Sequence, residues 1–402
     1  VRKTFMKLYD ITLVGGGISG LSLAHYCARA DRSVALLEKD TQPGGTLCSN
    51  APDGSDFFFE LGAHTCYNSY GRFIELLEDY ELMSSMQPRV KAPFKMLVDD
   101  KLVSIVSQIN LFELLISAPK ILFLRKAGQT VRDYYGRLVG KGNFERTFSA
   151  VFSAVPSQKA DEFPADILFK KRARNKTVAK SFTLQDGLQS VAHAIVANPA
   201  IHYVGGQPTQ TLRREGDTWI VETADGTTYA SRKLALATPS SVAARLLADL
   251  APDLAQHLET LSVATVDSIG VAVKRESVSL DPFGGAIPRD EALFSIVSRD
   301  VVPHEEYRGF TFHFSAGALP REDRLARICA ALQIAPQDLI CIGEKTNVVP
   351  SPRLGHGEWV ATTDCLAEQA NVQLTGNYFG GLSIEDCLLR SLQQSERLSQ
   401  QA

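Results

Sequence analysis

Asp10-Ile11-Thr12-Leu13-Val14, followed at once by Gly15-Gly16-Gly17-Ile18-Ser19-Gly20, decides the fold. The first five residues are a short apolar run. The glycines then turn the chain, and Leu21, Leu23, Ala24 and Cys27 keep helical spacing. A second strand, Ser33 to Leu37, ends on Glu38. Strand, glycine turn, helix, strand and acid in this order form a dinucleotide fingerprint. Gly15 permits the tight turn, Gly17 lets the backbone approach a pyrophosphate, and Gly20 lets helix and strand pack closely. Ile18, Ser19 and Gly20 open the helix, whose free N–H groups and positive dipole end suit phosphate. Glu38 lies 18 residues beyond Gly20, where a carboxylate can accept hydrogen bonds from ribose hydroxyls. Lys39 beside it is assigned to the same site.

The bulk numbers fit an ordinary globular protein. The chain has 402 residues, 45% hydrophobic and 22% charged, long enough for two or three domains. A net charge of −3 suggests no nucleic-acid partner. The seven cysteines have no C-x-x-C pair, so reduced thiols in the cytoplasm are expected, and no metal site. No secretory leader is expected; Val1 to Phe5 precede Met6 as an added or native extension. Ile109 to Leu124 is the longest apolar stretch, but Glu113, Pro119 and Lys120 break it. Spanning a bilayer takes about 20 apolar residues, so this stretch reads as a helical pair. The alternative is a peripheral contact with a membrane.

Farther along, Tyr70 to Glu81 carries helical spacing, and residues 91–106 read as two strands turning at Asp99-Asp100. Helical character dominates 109–155. After Ser181 come a helix, Leu188 to Val196, and short strands at 202–204, 210–213, 219–223, 228–230 and 234–237. Residues 263–315 are strand-rich, and a helix beginning near Ser383 closes the chain. Nucleotide-like elements thus stand at the start, middle and end. The expected fold is α/β: a discontinuous Rossmann-like domain of residues 6–90, 181–250 and 335–402. A mixed α+β substrate domain is inserted as 91–180 and 251–334.

These blocks resemble the FAD-dependent amine oxidase superfamily, nearest to its protoporphyrinogen oxidase-like members. Beyond the fingerprint, the likeness rests on Gly44-Gly45, Glu60-Leu61-Gly62-Ala63-His64, Ser181 to Gly187 with Pro208-Thr209 and Leu236-Ala237-Thr238-Pro239, and the run Leu374 to Cys387. It covers nearly the whole chain. The resemblance implies non-covalent FAD, with Gly15, Gly17 and Gly20 at the pyrophosphate and Glu38 at the ribose. It places Gly44, Gly45 and Thr46 over the ribityl-phosphate segment, and Gly62, Ala63 and His64 beside the flavin. Thr209 would meet the adenine, while Ala237, Gly376, Asn377 and Ser383 would border the cofactor. Ile384 would offer its N–H to the pyrimidine edge, where reduced flavin gathers negative charge and a helix N-terminus stabilises it. Three departures stand out. Thr46 replaces an arginine, Lys345 stands where tryptophan is common, and the stretch between about 100 and 180 is short.

The implied reaction is removal of hydride from a C–H bond of a small or lipophilic substrate, with O₂ or another acceptor reoxidising the flavin. Alternatives are a sugar-nucleotide mutase-like isomerase or a non-catalytic FAD-binding protein. His64 could face the flavin edge or be a loop histidine satisfied by backbone. Tyr67 could line the pocket or pack. Lys345 could hold a water near the ring, as a lysine does in amine oxidases.

Overall fold

The computed structural model describes residues 7–400; the extension Val1 to Phe5 lies outside them. One sheet runs Ile201–Val204, Val34–Leu37, Leu8–Val14, Thr228–Leu236, Thr218–Thr223, Thr209–Glu215, with Gln373–Leu374 also on Thr228–Leu236. The first four strands and Gln373–Leu374 are parallel, and the last two turn antiparallel. Parallel strands covered on both faces need nearly continuous apolar runs. Val34–Leu37 is accordingly buried throughout. The helix Ile18–Arg29 crosses between the first two chain-order strands and packs with the closing helix Ile384–Gln400. Their shared core includes Leu13, Leu21, Leu36, Phe73 and Leu388.

A second sheet runs Leu339–Pro350, Val263–Lys274, Tyr307–Ser315, Leu293–Ser298, Gly285–Pro288, Phe94–Val98, Lys101–Ser104. Asp99 and Asp100 make the expected hairpin turn, with φ of 48° and 56°. Val271, Phe310 and Phe312 centre its core.

Two sequence expectations need correction. The pair of strands at 228–230 and 234–237 is one strand, Thr228–Leu236, in register with the opening strand from Leu8↔Ala230 to Val14↔Leu236. The polar residues 231–233 hid this continuity. Arg232 is accommodated because it pairs with Asp10 at 2.5 Å. Residues 339–350, expected within the nucleotide part, form an edge strand of the second sheet, paired with Val263–Lys274. That edge strand is only partly covered and carries Glu344, Lys345 and Asn347, so it lacks the apolar signature of a buried strand.

Two glycines seat the loop that joins the sheets. A Cβ at Gly270 would lie 2.4 Å from the Phe59 ring, and one at Gly309 would lie 2.8 Å from Phe57. Phe57 and Phe59 therefore lie down on the second sheet. Thr311 completes the contact by donating to the Glu60 carbonyl at 2.7 Å.

Candidate functional site

The nucleotide end is made by close backbone approach. Gly15 has φ 109°, and a Cβ there would lie 2.6 Å from the Ala237 carbonyl oxygen. At Gly20 a Cβ would fall 1.9 Å from the Gly15 oxygen. These two glycines serve the turn and the helix–strand contact. Gly17 differs: the nearest atom to its Cβ position is the Gly45 Cα, at 3.9 Å. Open space therefore lies over Gly17. It is also the N-cap of the helix Ile18–Arg29, which has no side-chain cap. Such a helix start leaves its first N–H groups to an anion or solvent. Gly44 bridges to Gly17, its N–H donating to the Gly16 carbonyl at 2.8 Å.

Glu38 has a second role that its position in sequence does not reveal. Its buried carboxylate accepts the Gly16 N–H at 2.5 Å and the Asp40 N–H at 2.9 Å. It thereby locks the glycine turn to the second strand. Each oxygen keeps a further lone pair for a ribose hydroxyl. Lys39 is exposed and pairs with Asp40 at 2.7 Å. Nearby, the buried hydroxyls of Tyr203, Thr209 and Thr238 have no partner among the described residues. Thr238 adjoins Gly15, and the charges of Glu38 and Asp40 reach Tyr203. The open glycine, the uncapped helix and the unpartnered hydroxyls fit an adenine dinucleotide such as FAD.

At the other end, the Thr46 carbonyl accepts the Ala63 N–H at 2.9 Å. A Cβ at Gly62 would lie 2.2 Å from that same carbonyl. The Gly44 to Thr46 turn is therefore welded to the Gly62-Ala63-His64 loop. Ser383 caps the closing helix: its hydroxyl donates to Asp386 at 2.6 Å and accepts the Asp386 N–H at 3.1 Å. Lys170 and Arg172 reach the same carboxylate at 3.0 and 2.7 Å. Against burial, the Ser383 hydroxyl and these two cations hold Asp386 below the usual carboxylate range. Ile384 is buried at the first turn, Gly376 packs on the Tyr378 ring and Asn377 is half-buried beside it. Arg390 ties this motif down by donating to the Leu374 carbonyl at 3.1 Å and to Asp364 at 2.5 Å. Cys387 is buried, its thiol pushed up to about 12 by burial.

Between the second sheet and the loop running from Phe58 to His64 lies a small cavity of about 20 Å³, room for a single water. Glu60, His64, Arg89, Arg299 and Thr311 line it. Burial pushes Glu60 up to about 7, against the Leu188 N–H at 2.7 Å, the Ser49 hydroxyl at 2.8 Å and the Arg299 charge. Burial lowers His64 to about 3, with Arg89 and His313 adding to the effect. His64 is therefore neutral at ordinary pH. Its Nδ1 lies 2.7 Å from the Thr65 hydroxyl, which in turn accepts from Arg89. His313, pushed down to about 4 by burial, shares a hydrogen bond with Ser268 at 2.8 Å. The Nε atoms of Arg89 and Arg299 are buried without partners among the described residues. The group can hold a proton near neutral pH on Glu60 and keeps His64 uncharged.

The structure separates the three catalytic candidates. His64 lines this cavity. Tyr67 is 43% exposed and sets its ring edge-on to Tyr70. Lys345 pairs with Asp40 at 3.7 Å, beside Glu38. Sequence reading missed Arg89, Arg299 and the Ser268–His313 pair. They come from distant segments that carry no motif, and only the sheet register Ser268↔His313 brings the last two together. A second cleft, of about 350 Å³, borders the C-terminal motif at Phe379 and Gly380. Pro164, Ile167, Leu354 and Val360 make its lining mostly apolar, with Asp166 and His356 as its polar members.

Residues 13–80 match the model of a NAD(P)-binding Rossmann-like domain, and residues 111–397 match that of flavin containing amine oxidoreductases. A carotenoid 3,4-desaturase from Haloarcula japonica is 37% identical over 92 residues, 21% of this chain and 18% of that protein. A UDP-galactopyranose mutase from Mycoplasma pneumoniae is 29% identical over 83 residues, 20% of this chain and 21% of that one. The chain thus spans about a fifth of the length of either relative. Among solved structures, a proposed protoporphyrinogen oxidase from Exiguobacterium sp. 255-15 superposes with a TM-score of 0.80 at 16% identity. That match covers 99% of this chain and 100% of the other. A reduced UDP-galactopyranose mutase gives 0.74 at 14%, covering 98% and 96%. These likenesses establish the fold.

Proposed function

The chain belongs to the flavin containing amine oxidoreductase family, with FAD as its cofactor, and from that premise we propose an oxidase or dehydrogenase acting on a C–H bond of a lipophilic small molecule. The observation that carries the substrate class is the mostly apolar cleft bordered by Phe379 and by Gly380, which stands four residues before the helix start at Ile384. FAD held in this site supplies a hydride acceptor that O₂ or another oxidant restores. The protein's own tasks are binding, orientation and exclusion of water. Gly17 and the uncapped helix start would hold the pyrophosphate, Glu38 the ribose and Thr209 the adenine. Gly62, Ala63 and the N–H of Ile384 would border the ring. Neutral His64 would present an uncharged polar edge to the reacting side, held by Thr65 and Arg89. Pro164, Ile167 and Val360 would desolvate the substrate. No strong general base is needed for such chemistry, which agrees with the low basicity of His64 and His313.

Anaerobic bleaching of the flavin against porphyrinogens, carotenoid precursors and amines tests the substrate class. The expected result is bleaching by an apolar member, slowed in Ile167→Asp and Val360→Asp with flavin content unchanged. Bleaching by polar amines alone, indifferent to both variants, would overturn the assignment.

A further inference from the structure

The segment 106–126 holds an apolar face outward. Its short helix Leu111–Ser117 exposes Phe112 by 74% and Leu115 by 73%, and the following turn exposes Leu122 by 79% and Phe123 by 87%. Leu111, Ile116 and Ile121 widen the same surface. A contiguous patch of this kind on a folded surface marks an interaction site.

Polar bonds fix it in place. The Asn110 side chain caps the helix by accepting the Phe112 and Glu113 N–H groups. Asn143 clamps Asn110 from both sides, accepting its N–H at 2.7 Å and donating to its carbonyl at 2.9 Å. Glu113, the sole acid of the segment, is turned inward onto the N–H groups of Gly142 and Asn143, at 2.7 and 3.0 Å. With the acid inward, the remaining charges of residues 106–126 are the cations Lys120, Arg125 and Lys126. Lys120 and Arg125 are exposed and have no acidic partner among the described residues. Residues 106–146 carry seven Lys and Arg against three Asp and Glu, in a chain of net charge −3.

We propose that residues 111–125 form a docking surface for an anionic lipid bilayer. Leu111, Phe112, Leu115, Ile116, Leu122 and Phe123 would enter the acyl boundary, while Lys120 and Arg125 would meet phosphate headgroups. The charge pattern selects this occupant. A second copy docking through the same face would set Lys120 and Arg125 against their own duplicates. No helix among the described residues is long and apolar enough to cross a membrane, so the contact is a peripheral one. This inference is independent of the substrate assignment.

Vesicle flotation of the flavin-loaded protein tests it. Vesicles of equal phosphatidylcholine and phosphatidylglycerol should carry the protein, and phosphatidylcholine vesicles should carry at least about tenfold less. Phe112→Ser with Leu122→Ser and Phe123→Ser should abolish flotation, leaving flavin content and melting temperature unchanged. Lys120→Glu with Arg125→Glu should cut binding to the anionic vesicles at least about tenfold, since each cation near the surface contributes about 1 kcal/mol. Failure of the wild-type protein to float would overturn the proposal. So would a self-association removed by the same serine substitutions, which would give the surface to a second copy.

Discussion

Three glycines of one motif do different work, and their side-chain space separates them. A Cβ at Gly20 meets backbone at 1.9 Å, whereas at Gly17 it meets nothing closer than 3.9 Å. Gly20→Val should therefore fail to fold, while Gly17→Val should fold and lose FAD, because its methyls would take the space proposed for the pyrophosphate. Normal flavin content in soluble Gly17→Val would contradict this. Glu38→Gln should weaken FAD retention by about 1–3 kcal/mol, a lost charge-assisted hydrogen bond. An unchanged dissociation constant would show that the carboxylate serves only Gly16 and Asp40. Glu60 makes stability depend on pH. Its folded value of about 7 lies above the ordinary 4.5, so the folded state keeps a proton that the unfolded chain releases. The stabilisation is present below pH 4.5 and is lost as pH rises through 7. Glu60→Gln should remove that loss, and melting temperatures followed from pH 5 to pH 8 should diverge from wild type on the alkaline side. Parallel profiles would mean that Glu60 stays ionised.

At the level of elements, a helix can depend on a residue far along the chain. Glu385 accepts the Arg72 and Phe73 N–H groups at 3.0 and 3.1 Å, capping the helix Gly71–Asp79 from the closing helix. Glu385→Ala should cost about 1–2 kcal/mol in denaturant unfolding. A change of a few tenths would mean that water replaces the cap. The same bond shows why sequence reading goes only so far. The helix 71–79 was legible from Phe73, Leu76 and Leu77, because an amphipathic face repeats locally. Its cap was not, because Glu385 is 312 residues away from Phe73. The strand Leu339–Pro350 was missed for a related reason: an exposed edge position imposes no apolar alternation. Glycine turns were legible because a turn is a local demand on the backbone. The Arg89, Arg299 and His313 cluster was not, because only the tertiary fold brings these separate segments together.

For the whole molecule, the first sheet carries the glycine turn proposed for the nucleotide, and the second is joined to the loop beside it through Phe57, Phe59 and the Thr311 bond to the Glu60 carbonyl. The glycine blocks of the nucleotide part were readable because each carries a backbone requirement. The substrate was not readable, because a pocket is a surface shared by segments with no common motif. One dinucleotide fingerprint is present, so turnover should need no added nicotinamide cofactor. The same fold also serves a mutase, as the superposition at TM-score 0.74 shows, so the direction of the chemistry is the point to measure. The decisive experiment mixes oxidised enzyme with its best substrate in the absence of oxygen and nicotinamide, and follows flavin absorbance through one turnover. The expected result is loss of the oxidised flavin spectrum in step with formation of a dehydrogenated product, and recovery when air is admitted. An unchanged flavin spectrum, with turnover only after chemical pre-reduction and a product isomeric with its substrate, would contradict it.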